Sequence, residues 1–124
     1  MDKFVGHKTW IIPDGYLPDK STGLHPSHES VCVLNTGDTD ADIKIILYFE
    51  DRDPSGAFIS KCGAKRTHHI RLDSITDTDG RKIPRAVPYS ILVESSRPVV
   101  VQHTRLDTSQ AELALMTTMA YAVE

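Results

Sequence analysis

Short β-branched and apolar runs, cut at fairly even intervals by turn signals, constrain this chain more than any other feature. The signals are Pro13-Asp14-Gly15, Thr36-Gly37-Asp38, Asp53-Pro54-Ser55-Gly56, Thr78-Asp79-Gly80 and Arg97-Pro98. Strand-forming residues between turn residues at such spacing are the pattern of a sandwich or barrel of short strands. The expected class is all-β: a single compact, jelly-roll-like β-sandwich of about eight strands. They are placed near His7 to Ile12, Glu29 to Asn35, Asp42 to Glu50, Ala57 to Lys61, Lys65 to Leu72, Tyr89 to Ser95, Val99 to Leu106 and Leu113 to Val123.

Two segments need arbitration. Asp107-Thr108-Ser109-Gln110 can cap a short helical turn through Ala111 to Met116. Beyond it, the larger Leu113, Leu115, Thr117, Met119, Tyr121 and Val123 alternate with smaller residues, and period two favours a strand. Pro13 to Pro26 reads as one long ordered loop, a length that often accompanies function.

A chain of 124 residues buries roughly two-thirds of its unfolded surface in one core, so residues 1–124 are expected to form one domain. The net charge of −3 gives no global reason to bind a polyanion. Apolar runs such as Ile45-Ile46-Leu47 fall far short of the roughly 20 residues that span a bilayer. Met1 to His7 meets charge before any apolar segment, unlike a secretory signal, and a cytoplasmic chain is expected. Cys32 and Cys62 are the only cysteines, form no CxxC pair, and are expected as reduced thiols, Cys32 as a small core residue.

The densest chemistry lies in Val99 to Asp107. Period two puts Val99, Val101, His103, Arg105 and Asp107 on one face and Val100, Gln102, Thr104 and Leu106 on the other. An ion removed from water without a partner costs several kcal/mol, so Arg105 must reach solvent, a carboxylate or a ligand. A strand emerging at the rim, a polar pocket mouth built from Gln102, His103 and Arg105, and a subunit interface all satisfy that demand. Lys65 to Leu72 is a second polar strand, with Arg66 and His68 on one face and Thr67, His69 and Arg71 on the other. In Ser27-His28-Glu29-Ser30, His28 and Glu29 point to opposite faces of a regular strand. Trp10 reads as a core anchor or as a stacking surface for a sugar ring.

Six histidines raise a metal site, but His25-x-x-His28-Glu29 is the only cluster and lacks the His-x-His spacing of cupins; no metal or other cofactor is expected. No Gly-x-Ser-x-Gly, phosphate-binding glycine loop or partnered general base occurs. A domain that holds a ligand, not an enzyme, is expected.

Trp10, Gly15-Tyr16, Ser27 to Asn35, Gly37-Asp38, Arg66-Thr67, His69, Arg71, Val99 to Asp107, Gln110-Ala111-Glu112 and Ala120-Tyr121-Ala122 together resemble the sensory rhodopsin transducer family. Gln102-His103-Thr104-Arg105-Leu106-Asp107 is the most specific match, and the likeness runs from about Gly6 to Ala122. The resemblance implies a β-sandwich that assembles as a homotetramer. It implies binding of a small polar ligand such as a sugar or sugar acid, or a transducer role beside a membrane sensory rhodopsin, with a signal passed on, DNA being one target. Carried onto this chain, the implied ligand-binding residues are Trp10, His28, Glu29, Asn35, Arg71, Gln102 and Arg105, with His69, His103 and Asp107 behind them. Asp51 to Ala57 and Asp77 to Pro84 depart from the family pattern.

Overall fold

A computed structural model describes residues 4–124, and all regular structure among them is β. Eight strands follow in order: β1 His7–Gly15, β2 His28–Asn35, β3 Ala41–Phe49, β4 Ser55–Cys62, β5 Arg66–Arg71, β6 Tyr89–Asp107, β7 Ala114–Met119 and β8 Tyr121–Val123. Every pairing between named strands is antiparallel.

One strand organises the fold. The two runs expected near Tyr89–Ser95 and Val99–Leu106 are a single 19-residue strand, β6. Its first half pairs with β3 and β1 in one sheet, ordered β4-β3-β6-β1-β8. Its second half pairs with β2 and β7 in the other, ordered β5-β2-β6-β7. Arg97-Pro98, expected as a turn, is the corner where β6 passes between sheets. The register with β1 slips there, from Thr9↔Glu94 to His7↔Val99, so a proline lacking a ladder donor is tolerated.

The corner is tightly built. Gly6, at φ +97°, lies where a Cβ would fall 2.0 Å from the Val99 carbonyl oxygen, so only glycine fits. Trp10 donates its indole N–H to the carbonyls of His7 (3.0 Å) and Val99 (3.1 Å). Its ring is buried, which makes it a core anchor that satisfies corner carbonyls.

Inward-facing residues of both sheets, among them Trp10, Ile12, Val31, Val33, Ile43, Ile45, Phe58, Ile91, Val99 and Val101, form one core. Each fully buried Val or Ile contributes about 1.5–3 kcal/mol of transfer free energy. Cys62 is in this core, whereas Cys32 is half-buried: Glu29, Val31, Val33 and Asn35 take the inward positions of β2, and Cys32 takes an outward one.

The C-terminal end differs from expectation. No helical turn follows Asp107; the chain bends through 108–113 and forms β7, then β8 after a break at Ala120. These two short strands border different sheets, β7 beside β6 and β8 beside β1.

Candidate functional site

Period two and register together bring three polar side chains to one place. Glu29 is opposite Arg105, and Val31 opposite His103, across the β2–β6 ladder. Directly paired residues share a face of the sheet, so Glu29, His103 and Arg105 all point inward. Tyr89 arrives from the other sheet at the start of β6, opposite Gly15. A Cβ on Gly15 would meet the Tyr89 ring at 2.2 Å, so the missing side chain is what lets the tyrosine lie there.

Glu29 is the hub, with 0% of its surface exposed. Its Oε2 accepts from Arg105 Nε at 2.8 Å and from the Tyr16 backbone N–H at 2.9 Å. Tyr89 donates its hydroxyl to Oε1. His103 Nε2 lies 3.1 Å from Oε2, yet neither nitrogen of this fully buried ring has an aligned hydrogen-bond partner. We read the Nε2 contact as an off-axis electrostatic one, because a bond that far from linear is weak.

Burial alone would raise the Glu29 carboxyl, but His103, Tyr89, the Tyr16 N–H and Arg105 together outweigh it and hold the group below its usual value. Burial, then the Glu29 charge, pushes the Tyr89 hydroxyl far up, so it stays a donor. For Arg105, burial works against the charge and Glu29 and Asp14 work for it; the net shift is upward. A carboxylate and a guanidinium are thus both ionised inside the fold, which is sustained only by close pairing.

Arg105 is the member that reaches solvent, its side chain 19% exposed. Nη2 makes only long contacts, 3.3 Å to Asp14 Oδ1 and 3.4 Å to the Asp14 carbonyl, and Asp14 is itself 81% exposed. Nη1 has no partner among the described residues.

The loop between β1 and β2 closes over this end of the sandwich. Beyond the Tyr16–Glu29 bond, the Ser27 hydroxyl donates to the Lys20 carbonyl and accepts from the Thr108 N–H, and Arg85 donates to the carbonyls of Pro18 and Ser27. Ile83 is buried. In the basic segment Arg81 to Arg85, Ile83 anchors the chain and Arg85 is tied to the β1–β2 loop, while Arg81, Lys82 and Arg85 remain exposed.

With this geometry in view, the comparisons with known proteins are specific. A family model described as Anabaena sensory rhodopsin transducer matches residues 5–122. The chain belongs to this family. A solved structure titled Crystal Structure of Thermotoga maritima 1070 is 40% identical, with a TM-score of 0.84, covering 96% of this chain and 97% of that one. The Anabaena sensory rhodopsin transducer is also 40% identical, with a TM-score of 0.75, covering 89% and 96%. No curated protein matches.

The family signature Gln102 to Asp107 divides between two faces of the sheet. His103 and Arg105 join Glu29 inside, while Gln102, opposite Cys32 and Met119, lies on the outer face, so the three do not line one pocket. Asp107 bonds Ser109 through its N–H (2.8 Å) and hydroxyl (2.6 Å). Asn35 is buried and organises a loop: Nδ2 donates to the carbonyls of Thr39, Cys62 and Gly63, and Oδ1 accepts from Gly37 N–H. Arg71 is paired with Asp73 at 2.8 Å, His28 contacts the Pro26 carbonyl, and His69 is exposed opposite Cys32. These three lie on the outer face.

Two members of the cluster escaped sequence reasoning. Asp14 stood inside a turn signal, and Tyr89 is distant in sequence from everything it touches. No group of three or more potential metal ligands occurs among the described residues. Two surface cavities, about 370 Å³ beside Asn35–Thr39 and Arg97 and about 400 Å³ beside Arg52–Gly56 and Arg81, lie away from Glu29.

Proposed function

We propose that this chain is a non-enzymatic binding and signalling domain whose ligand docks at the Arg105 mouth. The ligand is small and polar, with a carboxylate or neighbouring hydroxyls, as in a sugar acid or sugar. The carrying observation is the half-committed guanidinium: Nε is fixed on buried Glu29, while Nη2 is held only at 3.3–3.4 Å by exposed Asp14 and Nη1 is open. A carboxylate that replaces Asp14 gains a charge-assisted, bidentate partner already oriented by Glu29. Glu29 and Arg105 form the site, with His103 and Tyr89 behind them. Trp10 and Asn35 support it through the fold, and the outward His28, Arg71 and Gln102 stand apart from it. The domain acts in the cytoplasm as a homotetramer.

Thermal denaturation tests this reading with a panel of sugars and sugar acids. A ligand at about 100 times its Kd stabilises by about 2.7 kcal/mol. A sugar acid is expected to raise the melting temperature, and Asp14→Ala is expected to enlarge that response by removing the competing carboxylate. Arg105→Lys, which keeps the charge beside Glu29, is expected to lose most of it, because an ammonium cannot form the fork. No shift across the panel would overturn the proposal.

The second reading, a transducer that contacts a membrane sensory rhodopsin, is favoured by the 40% identity to the Anabaena transducer across 89% of this chain. Its test is co-purification of this chain with a co-expressed microbial sensory rhodopsin: retention would support the reading and loss of the chain on washing would count against it. DNA as a target rests on the Arg81–Arg85 segment, which is weakened by the Arg85 bonds to the Pro18 and Ser27 carbonyls.

A further inference from the structure

The cavity of about 400 Å³ beside Arg52–Gly56 is bounded by two turns, one joining β3 to β4 and the other at Asp77–Arg81, after β5. Its volume falls within the roughly 300–1,000 Å³ of small-molecule pockets. Both walls are fixed by their own bonds. In the second turn, Asp77 Oδ1 accepts from the Asp79 and Arg81 N–H groups, both at 2.9 Å. The Asp77 N–H donates to the Arg81 carbonyl, and the Gly80 N–H closes onto the Asp77 carbonyl at 3.0 Å. A bridge between Asp77 and Phe58 pins this turn to β4.

In the first turn the fixed group is a guanidinium. Arg52 donates Nε and Nη2 to the two carboxylate oxygens of Asp51, at 2.9 and 3.2 Å, and its Cζ lies 5.4 Å over the Phe49 ring centroid. Phe49 is held in turn by Tyr89, its cross-strand partner, which stands edge-on to it at 6.4 Å. A fork on one edge and an aromatic face below remove the freedom that a surface arginine otherwise keeps. Both partners of the Arg52–Asp51 pair are exposed, and such a pair contributes only about 0–1 kcal/mol. Asp51 therefore orients the guanidinium without closing it to a second anion, and Arg52 Nη1 has no partner among the described residues.

The other charges around the cavity are uncommitted. The side chains of Arg81, Asp53 and Asp79 are exposed and pair with nothing among the described residues. Phe49, Pro54 and Pro84 supply apolar lining. Both signs of charge thus face one space beside an apolar patch, and this combination selects a class of ligand. A purely anionic ligand meets Asp53, Asp77 and Asp79. A purely cationic one meets Arg52 and Arg81. A neutral sugar leaves both sets without a counter-charge.

We propose that this cavity binds a free α-amino acid. Its carboxylate lies on the Arg52 and Arg81 guanidinia, its ammonium on the Asp53 and Asp79 carboxylates, and its side chain against Phe49, Pro54 and Pro84. Every polar contact is then charge-assisted, which makes it stronger than its neutral counterpart. Walls already bonded into place lower the ordering cost that a site on loops otherwise carries. The site shares no residue with the Arg105 mouth and does not rest on the sugar-acid reading.

The test is a heteronuclear NMR titration of the full chain with each standard amino acid at about 5 mM, which registers dissociation constants into the millimolar range. At least one amino acid is expected to move the amide signals of 51–56 and 77–82 while those of Tyr16, Glu29 and Arg105 stay in place. For that amino acid, the decarboxylated amine and the deaminated acid each lose one set of contacts. Each is expected to bind about tenfold weaker or worse, since a hydrogen bond to a charged group contributes about 1.5–3 kcal/mol. Arg81→Gln and Asp79→Asn, both at exposed positions, are expected to weaken binding by about tenfold with melting temperatures unchanged. No movement across the panel would overturn the proposal, as would movement confined to the Arg105 mouth. An amine or acid that binds as tightly as its parent would overturn the zwitterion assignment, and unchanged affinity in both variants would overturn the contacts. The sugar-acid melting shift is a separate readout, so failure there leaves this result standing, and the reverse.

Discussion

Replacing Glu29 with glutamine removes one charge and almost no volume from the centre of the buried network. Oε2 accepts from Tyr16 N–H and Arg105 Nε, and Oε1 from Tyr89. The amide oxygen of the substituted side chain must take the Oε2 place, leaving its NH₂ toward Tyr89, whose hydroxyl then accepts instead of donating. A hydrogen bond to an ionised group contributes about 1.5–3 kcal/mol against about 0.5–1.5 for a neutral one, so three bonds lose about 1 kcal/mol each. Relief from burying a carboxylate offsets part of this, and Arg105 retains Asp14 and some solvent.

The net cost expected at pH 7 is about 2 kcal/mol, a large fraction of a typical 5–15 kcal/mol stability. In a chain of this size that is roughly 8 °C in Tm. Because the folded Glu29 carboxyl is held below its ordinary 4.5, the charge stabilises fully above that value, and the contribution is lost as pH falls through the lower, folded one. Urea unfolding, followed by the single tryptophan, Trp10, should give a wild-type advantage that is constant from neutrality to about pH 5.5 and shrinks toward pH 3. An advantage unchanged at pH 3, or absent at pH 7, refutes the assignment of Glu29 as an ionised hub.

Asn35→Ala leaves three carbonyls and the Gly37 N–H without their partner; it should cost about 3 kcal/mol, measured by urea unfolding, while leaving the ligand-induced melting shift intact. Gly15→Ala pushes a methyl against the Tyr89 ring, which its hydroxyl bond to Glu29 prevents from retreating. A loss of about 2 kcal/mol or more is expected, and a melting temperature within a degree of wild type would show that the ring is free to move. Together with the sugar-acid shift, these measurements separate residues that hold the fold from residues that meet a ligand.

The strand inventory was legible because it depends on local chemistry. Turn residues and β-branched runs placed β2, β3 and β5 close to their observed ends. The same logic misread Arg97-Pro98, because a proline that interrupts a ladder looks identical whether the chain reverses or passes from one sheet to the next. Only the slipped register with β1 tells them apart. Likewise the alternation in 113–123 was correct, but nothing local says that the chain changes sheets at Ala120.

For the site, the chain by itself determined which side chains share a face: Arg105 with His103, Glu29 away from His28, Gln102 away from His103 and Arg105. Alternation is a property of the backbone and needs no partner. What only the tertiary structure decided is which of those faces turns inward and which inward faces meet. Glu29 lies opposite Arg105 across 76 residues, Tyr89 reaches the same carboxylate from the other sheet, and the Tyr16 N–H completes its shell. Whether an ionised group survives in a core depends on how many donors converge on it, and convergence is set by register between distant strands, which no local pattern encodes.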